Sequence, residues 1–226
     1  MFGIDEPMQP RRFDLIVFDW DGTIMDSTGL IGECIQLAAQ DCGLPIPSTD
    51  SAKSIIGLGI QDSITRLFPE IDRDAQTAFA LAYRQNFIAR DHEAPLYDGI
   101  RELLAALAHP QRFLTIATGK SRAGLERALA RTRLKSTFHF SRCADEGLPK
   151  PHPDMLLRLM EFTSVSPERT LMIGDTTHDL DRARNAGVAA VAVTYGAHPA
   201  DLLATQASLV VVDTVGELHA WLKQNL

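Results

Sequence analysis

An α/β fold, a doubly wound parallel sheet with a block of helices inserted early in the chain, is predicted by three features of the sequence. Short apolar runs recur, helical patterns separate them, and one long stretch near the start carries no convincing strand signal. The runs are continuous rather than alternating, which suits strands buried on both faces of a parallel sheet.

The first run is Leu15-Ile16-Val17-Phe18, and the second is Phe113 to Ala117. Thr170 to Ile173, Val188 to Val193 and Ser208 to Val212 follow, with a weaker candidate at Thr137 to Phe140. Crossover helices are expected at Gly99 to Ala108, Ser121 to Arg133, Pro153 to Thr163 and Thr177 to Ala186. This alternation predicts a Rossmann-like core. Between Met25 and Pro95 the pattern is helical. Leu30, Ile31, Cys34, Ile35, Leu37, Ala38 and Cys42 form one apolar stripe; Ile60, Ile64, Leu67 and Phe68 form a second. Ala78, Leu81, Ala82, Gln85 and Ile88 form a third, less pure stripe. The expected organisation is a core of residues 1–24 and 96–226 with an all-α cap at 25–95.

With 226 residues and 45% apolar side chains, the chain can bury a sizeable core. Its net charge of -7 disfavours a general nucleic-acid or anionic-membrane binder. An anionic substrate stays compatible, because a cation and a few local positive charges can reverse the sign within one cleft. Three cysteines without metal-ligand spacing are expected as reduced thiols of a cytoplasmic protein. Residues 1–12 carry no signal-peptide pattern, and no apolar run approaches the ~20 residues of a membrane span. Nothing in the sequence specifies an oligomeric state.

The chemistry is expected where strands end, since open parallel sheets bind ligands outside their carboxyl ends. The first run leads into Asp19-Trp20-Asp21-Gly22-Thr23, two carboxylates one residue apart, so that one can attack and the other exchange a proton. The second leads into Thr118-Gly119-Lys120-Ser121, a hydroxyl and backbone amides suited to a phosphate oxygen. Lys150-Pro151-His152-Pro153-Asp154 places an ammonium group at the mouth of the cleft. Gly174-Asp175-Thr176-Thr177-His178-Asp179 adds two hard oxygen ligands, and an acidic cluster of this kind points to magnesium rather than zinc. His178 is expected to face solvent or to start the helix, rather than to serve as a ligand.

These four motifs, in this order and register, resemble the haloacid dehalogenase superfamily, and within it the phosphoglycolate phosphatase-like group with a helical cap. The likeness extends to Tyr97-Asp98-Gly99 and to Val193 through His198. The resemblance implies a Mg²⁺-dependent phosphatase acting on a small phosphorylated metabolite through a phosphoaspartate. Asp19 would be the nucleophile, Asp21 the general acid and base, Thr118 and Gly119 phosphate contacts, and Lys150 the stabiliser of nucleophile and phosphoryl group. Asp19, Asp175 and the backbone carbonyl of Asp21 would hold the metal, with Asp179 supporting them. Two positions depart from the pattern. Trp20 brings a large ring that can narrow the cleft, and Gly119 stands where many relatives have asparagine. Lys53, Arg66 and the Gly57-Leu58-Gly59 turn are candidate cap contacts.

A haloacid dehalogenase would share the nucleophile, but it needs neither Asp21 nor the metal-binding carboxylates. A phosphosugar mutase of the β-phosphoglucomutase type shares the whole catalytic set and is the alternative reading. A catalytically silent scaffold is disfavoured by the completeness of the motifs.

Overall fold

The computed structural model describes residues 13–226, and the expectation for residues 1–12 lies outside that range. Six strands form one parallel sheet: β1 (Leu15–Phe18), β2 (Phe113–Ala117), β3 (Phe140–Arg142), β4 (Thr170–Gly174), β5 (Ala189–Val193) and β6 (Val210–Val212). Their spatial order is β3-β2-β1-β4-β5-β6. β1 therefore has β2 on one side and β4 on the other, with Phe18 level with Ile116 and with Ile173. The chain winds outward in both directions from β1, and this switch point opens a crevice at the carboxyl ends.

The pleat sends alternate residues to opposite faces. Ile16, Phe18, Leu114, Ile116, Leu171 and Ile173 pack on one face with α5 (Ile100–Leu107), α6 (Arg122–Thr132) and α10 (Val215–Asn225). Leu15, Val17, Ala117 and Met172 pack on the other with α7 (Asp154–Thr163) and α8 (Thr177–Asn185). Both faces are covered, as the unbroken apolar runs predicted. The remaining helix, α9 (Ala200–Leu203), contributes Leu203 to the second face.

The inserted cap comprises α1 (Thr28–Asp41), α2 (Thr49–Ser54), α3 (Ile60–Leu67) and α4 (Arg73–Arg90) around its own apolar cluster. Met25 bridges to Asp21 and to Leu96, so the chain leaves and re-enters the sheet side by side. Hydrogen bonds from Asp26 N–H to the Pro95 carbonyl and from Tyr97 N–H to the Ile24 carbonyl tie the two crossings together.

Two expectations are corrected. The weak strand lies at Phe140–Arg142 instead of Thr137 to Phe140, because Lys135–Thr137 closes into a 3₁₀ turn and Phe138 packs inward against Phe18 and Trp20. The third cap stripe is rotated about its helix. Ala78, Leu81, Gln85 and Ile88 face solvent, while Phe79 and Phe87 are buried with Tyr83 packed beside them. Burying aromatic rings removes more apolar area than burying that row of smaller side chains, so the aromatic face wins.

Candidate active site

The site begins where β1 ends. Asp19 remains anchored to the sheet by its N–H, which donates to the Ile173 carbonyl of β4 at 2.9 Å. The chain then folds tightly, the Trp20 carbonyl accepting from the N–H groups of Ile24 and Met25, each at 2.9 Å. Gly22 makes the turn with φ of 82°, and any β-carbon there would overlap the Asp175 carboxylate. Glycine is thus required twice over, by backbone conformation and by close approach. The Trp20 ring is fully buried, edge-to-face with Phe138 at 6.3 Å. It anchors the turn in the core and also lines the small cavity beside Asp21.

Asp19, Asp175 and Asp179 converge, each offering a carboxylate oxygen within 4.8 Å of the others. All three are buried. Asp175 is held by the Thr23 hydroxyl at 2.9 Å and the Ala197 N–H at 2.8 Å. Asp179 accepts from the Thr176 hydroxyl at 2.6 Å. The Lys150 ammonium reaches Asp19 Oδ1 at 3.0 Å and Asp179 Oδ1 at 2.7 Å, with its side chain only 1% exposed. Arg182, fully buried, lies behind this group and donates to the Ala117 carbonyl at 3.3 Å.

The electrostatic consequence is uneven. Burial, then the charges of Asp179 and Asp21, push the Asp19 carboxyl up to about 7 even though Lys150 opposes them. Burial and the neighbouring Asp19 and Asp179 also raise Asp175 well above the usual carboxylate range. For Asp179, burial acts upward but is outweighed by Lys150 and Arg182, and the carboxyl falls below its ordinary value. Neither oxygen of Asp19 accepts a well-aligned hydrogen bond among the described residues. Three convergent carboxylates, buried together and repelling one another against a single Lys150 ammonium, make a donor set that fits a hard divalent cation such as Mg²⁺.

The Asp21 carboxylate does not join that cluster. It turns aside to the Lys120 ammonium, at 3.0 and 3.1 Å, and accepts from the Ser27 hydroxyl at 2.7 Å. Lys120 in turn lies over the ring of Phe87 from cap helix α4, 4.5 Å from its centre. These groups, with Asp91 and Arg131, border a cavity of about 10 Å³, room for about one water molecule. Sequence reasoning gave Lys120 and Ser27 no role. Lys120 stands two residues past Thr118, a signal that was present, whereas Ser27 became meaningful only once the turn was folded.

Thr118 is fully buried at the end of β2, its hydroxyl accepting from the Lys120 N–H at 3.2 Å. Gly119 lies directly beneath the cap turn. A β-carbon on it would stand 2.5 Å from the Gly57 carbonyl oxygen and 2.9 Å from that of Leu58. The cap turn therefore sits over the loop after β2 through backbone contact. Arg66 lines an open groove with Leu58, Pro149 and Lys150, and Lys53 is half-buried in the last turn of α2. His178 does start α8, but its ring is buried instead of facing solvent, because the cap covers it.

The geometry agrees with the comparisons. Residues 16–193 match the family model described as "Haloacid dehalogenase-like hydrolase". The chain is 34% identical to "Probable phosphatase IndB" of Dickeya dadantii (strain 3937), covering 92% of this chain and 95% of that protein. It is 30% identical to the phosphoglycolate phosphatase of Nitrosococcus oceani, covering 95% and 98% respectively. A crystal structure described as a predicted phosphatase from Clostridium acetobutylicum superposes with a TM-score of 0.83 at 25% identity, over 94% of this chain and 99% of that one. The aspartate cluster, the capped parallel sheet and these likenesses agree on a small-molecule phosphatase. The chain belongs to the haloacid dehalogenase-like hydrolases, on their phosphoglycolate phosphatase-like branch with a helical cap.

Proposed function

We propose that this protein hydrolyses a small, anionic phosphate monoester of the phosphoglycolate type, with Asp19 as nucleophile and Mg²⁺ as cofactor. The observation that carries this reading is the Lys150 ammonium set between Asp19 and Asp179, beside Asp175, at the switch point of the sheet. Mg²⁺ held by Asp19, Asp175 and the Asp21 carbonyl, with Asp179 in support, would keep Asp19 ionised and neutralise the phosphoryl oxygens.

Asp19 attacks phosphorus in line with the leaving oxygen, and the phosphoryl group passes to its carboxylate. Lys150, the Thr118 hydroxyl and backbone amides at Gly119 spread the charge over the non-bridging oxygens. Asp21, carrying a proton, gives it to the departing alkoxide. As a carboxylate it then takes a proton from the water that attacks the phosphoaspartate. Ser27 and Lys120 donate to its carboxylate and so favour the base form, and the acid step needs Asp21 to turn from Lys120 toward the leaving oxygen. The cavity beside Asp21 is walled by two cations, Lys120 and Arg131, and two carboxylates, Asp21 and Asp91, so the choice of a small anionic leaving group is supported by the likeness to the phosphoglycolate phosphatase of Nitrosococcus oceani. We take residues 25–95 as the cap that excludes bulk water.

Unpaired thiols and the composition support a cytoplasmic setting, and among the described residues no helix is long and apolar enough to cross a membrane. The test is phosphate release from a panel of small phosphate esters, phosphoglycolate first, with Mg²⁺ and then with EDTA. Metal-dependent release supports the proposal. Isomerised sugar phosphate without free phosphate would move it to the mutase reading, and halide release from a haloacid in EDTA would overturn it.

A further inference from the structure

We propose that His178 and His198 act as a pair of positioning residues that latch the cap shut over the phosphate site. The proposal rests on the phosphatase reading only for the identity of the ligand that the cap covers. The two rings come from different elements, α8 and the loop after β5, yet they meet edge-to-face with centres 5.3 Å apart. Both point a nitrogen, Nε2, at the same atom of the cap, the carbonyl oxygen of Ser54 at the end of α2. The distances are 3.4 Å from His178 and 3.3 Å from His198.

The protonation of the rings is set by their partners. A carbonyl can only accept, so each Nε2 must carry hydrogen to bond there. In His198 the other nitrogen accepts from the Thr177 N–H at 3.1 Å, which fixes that tautomer. Both rings are buried beneath the cap. Neither group serves the phosphoryl-transfer steps.

The position of Ser54 in the chain gives the contact its leverage. Ser54 leads directly into the turn Ile55–Gly59, and Gly57 lies over the Lys150 ammonium and the Thr176 hydroxyl; a β-carbon there would be 3.4 Å from each. His198 is fastened to the acidic cluster, its N–H donating to the Asp175 carbonyl at 3.3 Å. One end of the latch is thus fixed to the sheet beside the candidate metal site and the other to the lid. The bonds are long, so each is worth a small factor in the closed-to-open ratio.

Hydrogen–deuterium exchange on the full chain tests this without requiring turnover. The proteins are the wild type, His178→Phe, His198→Phe and His198→Gln, with and without inorganic phosphate and Mg²⁺. Phenylalanine keeps a ring and removes the donor, while glutamine restores an N–H near the Nε2 position. The expected result is exchange across residues 54–59 faster by roughly two- to fivefold in each Phe variant. His198→Gln should return toward the wild type, and α1 and the sheet should be unchanged. With a substrate in hand, KM should rise in the Phe variants while kcat holds. Wild-type exchange at 54–59 in both Phe variants, or an equal rise throughout the cap and core, would overturn the latch. Failure of the substrate panel would count against the phosphatase reading and leave this exchange result standing.

Discussion

Adding a single methyl group at Gly119 should cripple the enzyme without unfolding it. The backbone there lies outside the left-handed region, so alanine fits locally. In folding terms, lower entropy of the unfolded chain would favour alanine by about 0.4–1 kcal/mol, but overpacking against backbone costs about 1–3 kcal/mol, so a modest net loss of stability is expected. The obstacle is the cap. The new carbon would stand 2.5 Å from the Gly57 carbonyl oxygen, whereas ordinary contact begins at 3.4 Å. The turn must therefore retreat by about 1 Å, and a misplacement of that size can cost on the order of 10² in rate. Steady-state kinetics on a small phosphate ester should show kcat/KM lower by about 10- to 100-fold, and thermal melting should show one cooperative transition with Tm lower by roughly 2–8 °C. A protein fully folded at the assay temperature yet slow separates a closure defect from a folding defect. A folded Gly119→Ala protein with wild-type kcat/KM would refute the reasoning.

The same geometry predicts further outcomes. Asp21→Asn should keep the fold and lower turnover by roughly 10² to 10⁴, the usual value of a positioned acid–base group; full activity would remove Asp21 from that role. Lys150→Met should leave buried carboxylates uncompensated and lower unfolding stability by about 3–5 kcal/mol, with a smaller loss at pH 5 than at pH 8, where Asp19 would be ionised; chemical denaturation at the two pH values checks this. For the metal-free protein, the Asp19 carboxyl lies at about 7 against an ordinary 3.8, so the folded state binds its proton more tightly. Asp19, and Asp175 in the same direction, therefore stabilise the fold at low pH and lose that contribution as pH rises from about 4 through 7. The two carboxyls are neighbours that repel one another, so the loss belongs to them jointly. Asp179 works the opposite way, its contribution lost as pH falls. Melting in EDTA across pH 5 to 8 should show a decline that Asp19→Asn flattens and that added Mg²⁺ offsets; a wild-type decline that Asp19→Asn leaves intact would contradict the assignment.

The sheet was legible because its strands are buried on both faces, so β1 and β2 appear as unbroken apolar runs with the observed limits. Asp19 and Asp175 were legible because the ends of such strands face a switch point. The third cap helix was not, since α4 carries apolar residues on two faces, and only packing against α1 decides that Phe79 and Phe87 are the ones buried. The partners of Asp21 escaped for a related reason. Lys120 lies 99 positions away in sequence, and its contact exists only after β2 pairs with β1. Trp20 read as a ring that narrows the cleft; the turn at Gly22 buries it in the core, where it still walls the cavity beside Asp21. His178 read as facing solvent or starting the helix; it does start α8, and its burial escaped because the sequence does not show the cap lying on it.

The central claim is a covalent phosphoryl group on one named carboxylate, and chemical trapping tests it most directly. The enzyme is mixed with Mg²⁺ and a substrate ester, quenched within a turnover, reduced with borohydride and mapped by peptide mass spectrometry. An acyl phosphate at Asp19 would be reduced to homoserine at that residue, only when substrate is present and not in Asp19→Asn. Substrate turnover with residue 19 unmodified, or with the label on another side chain, would contradict the account.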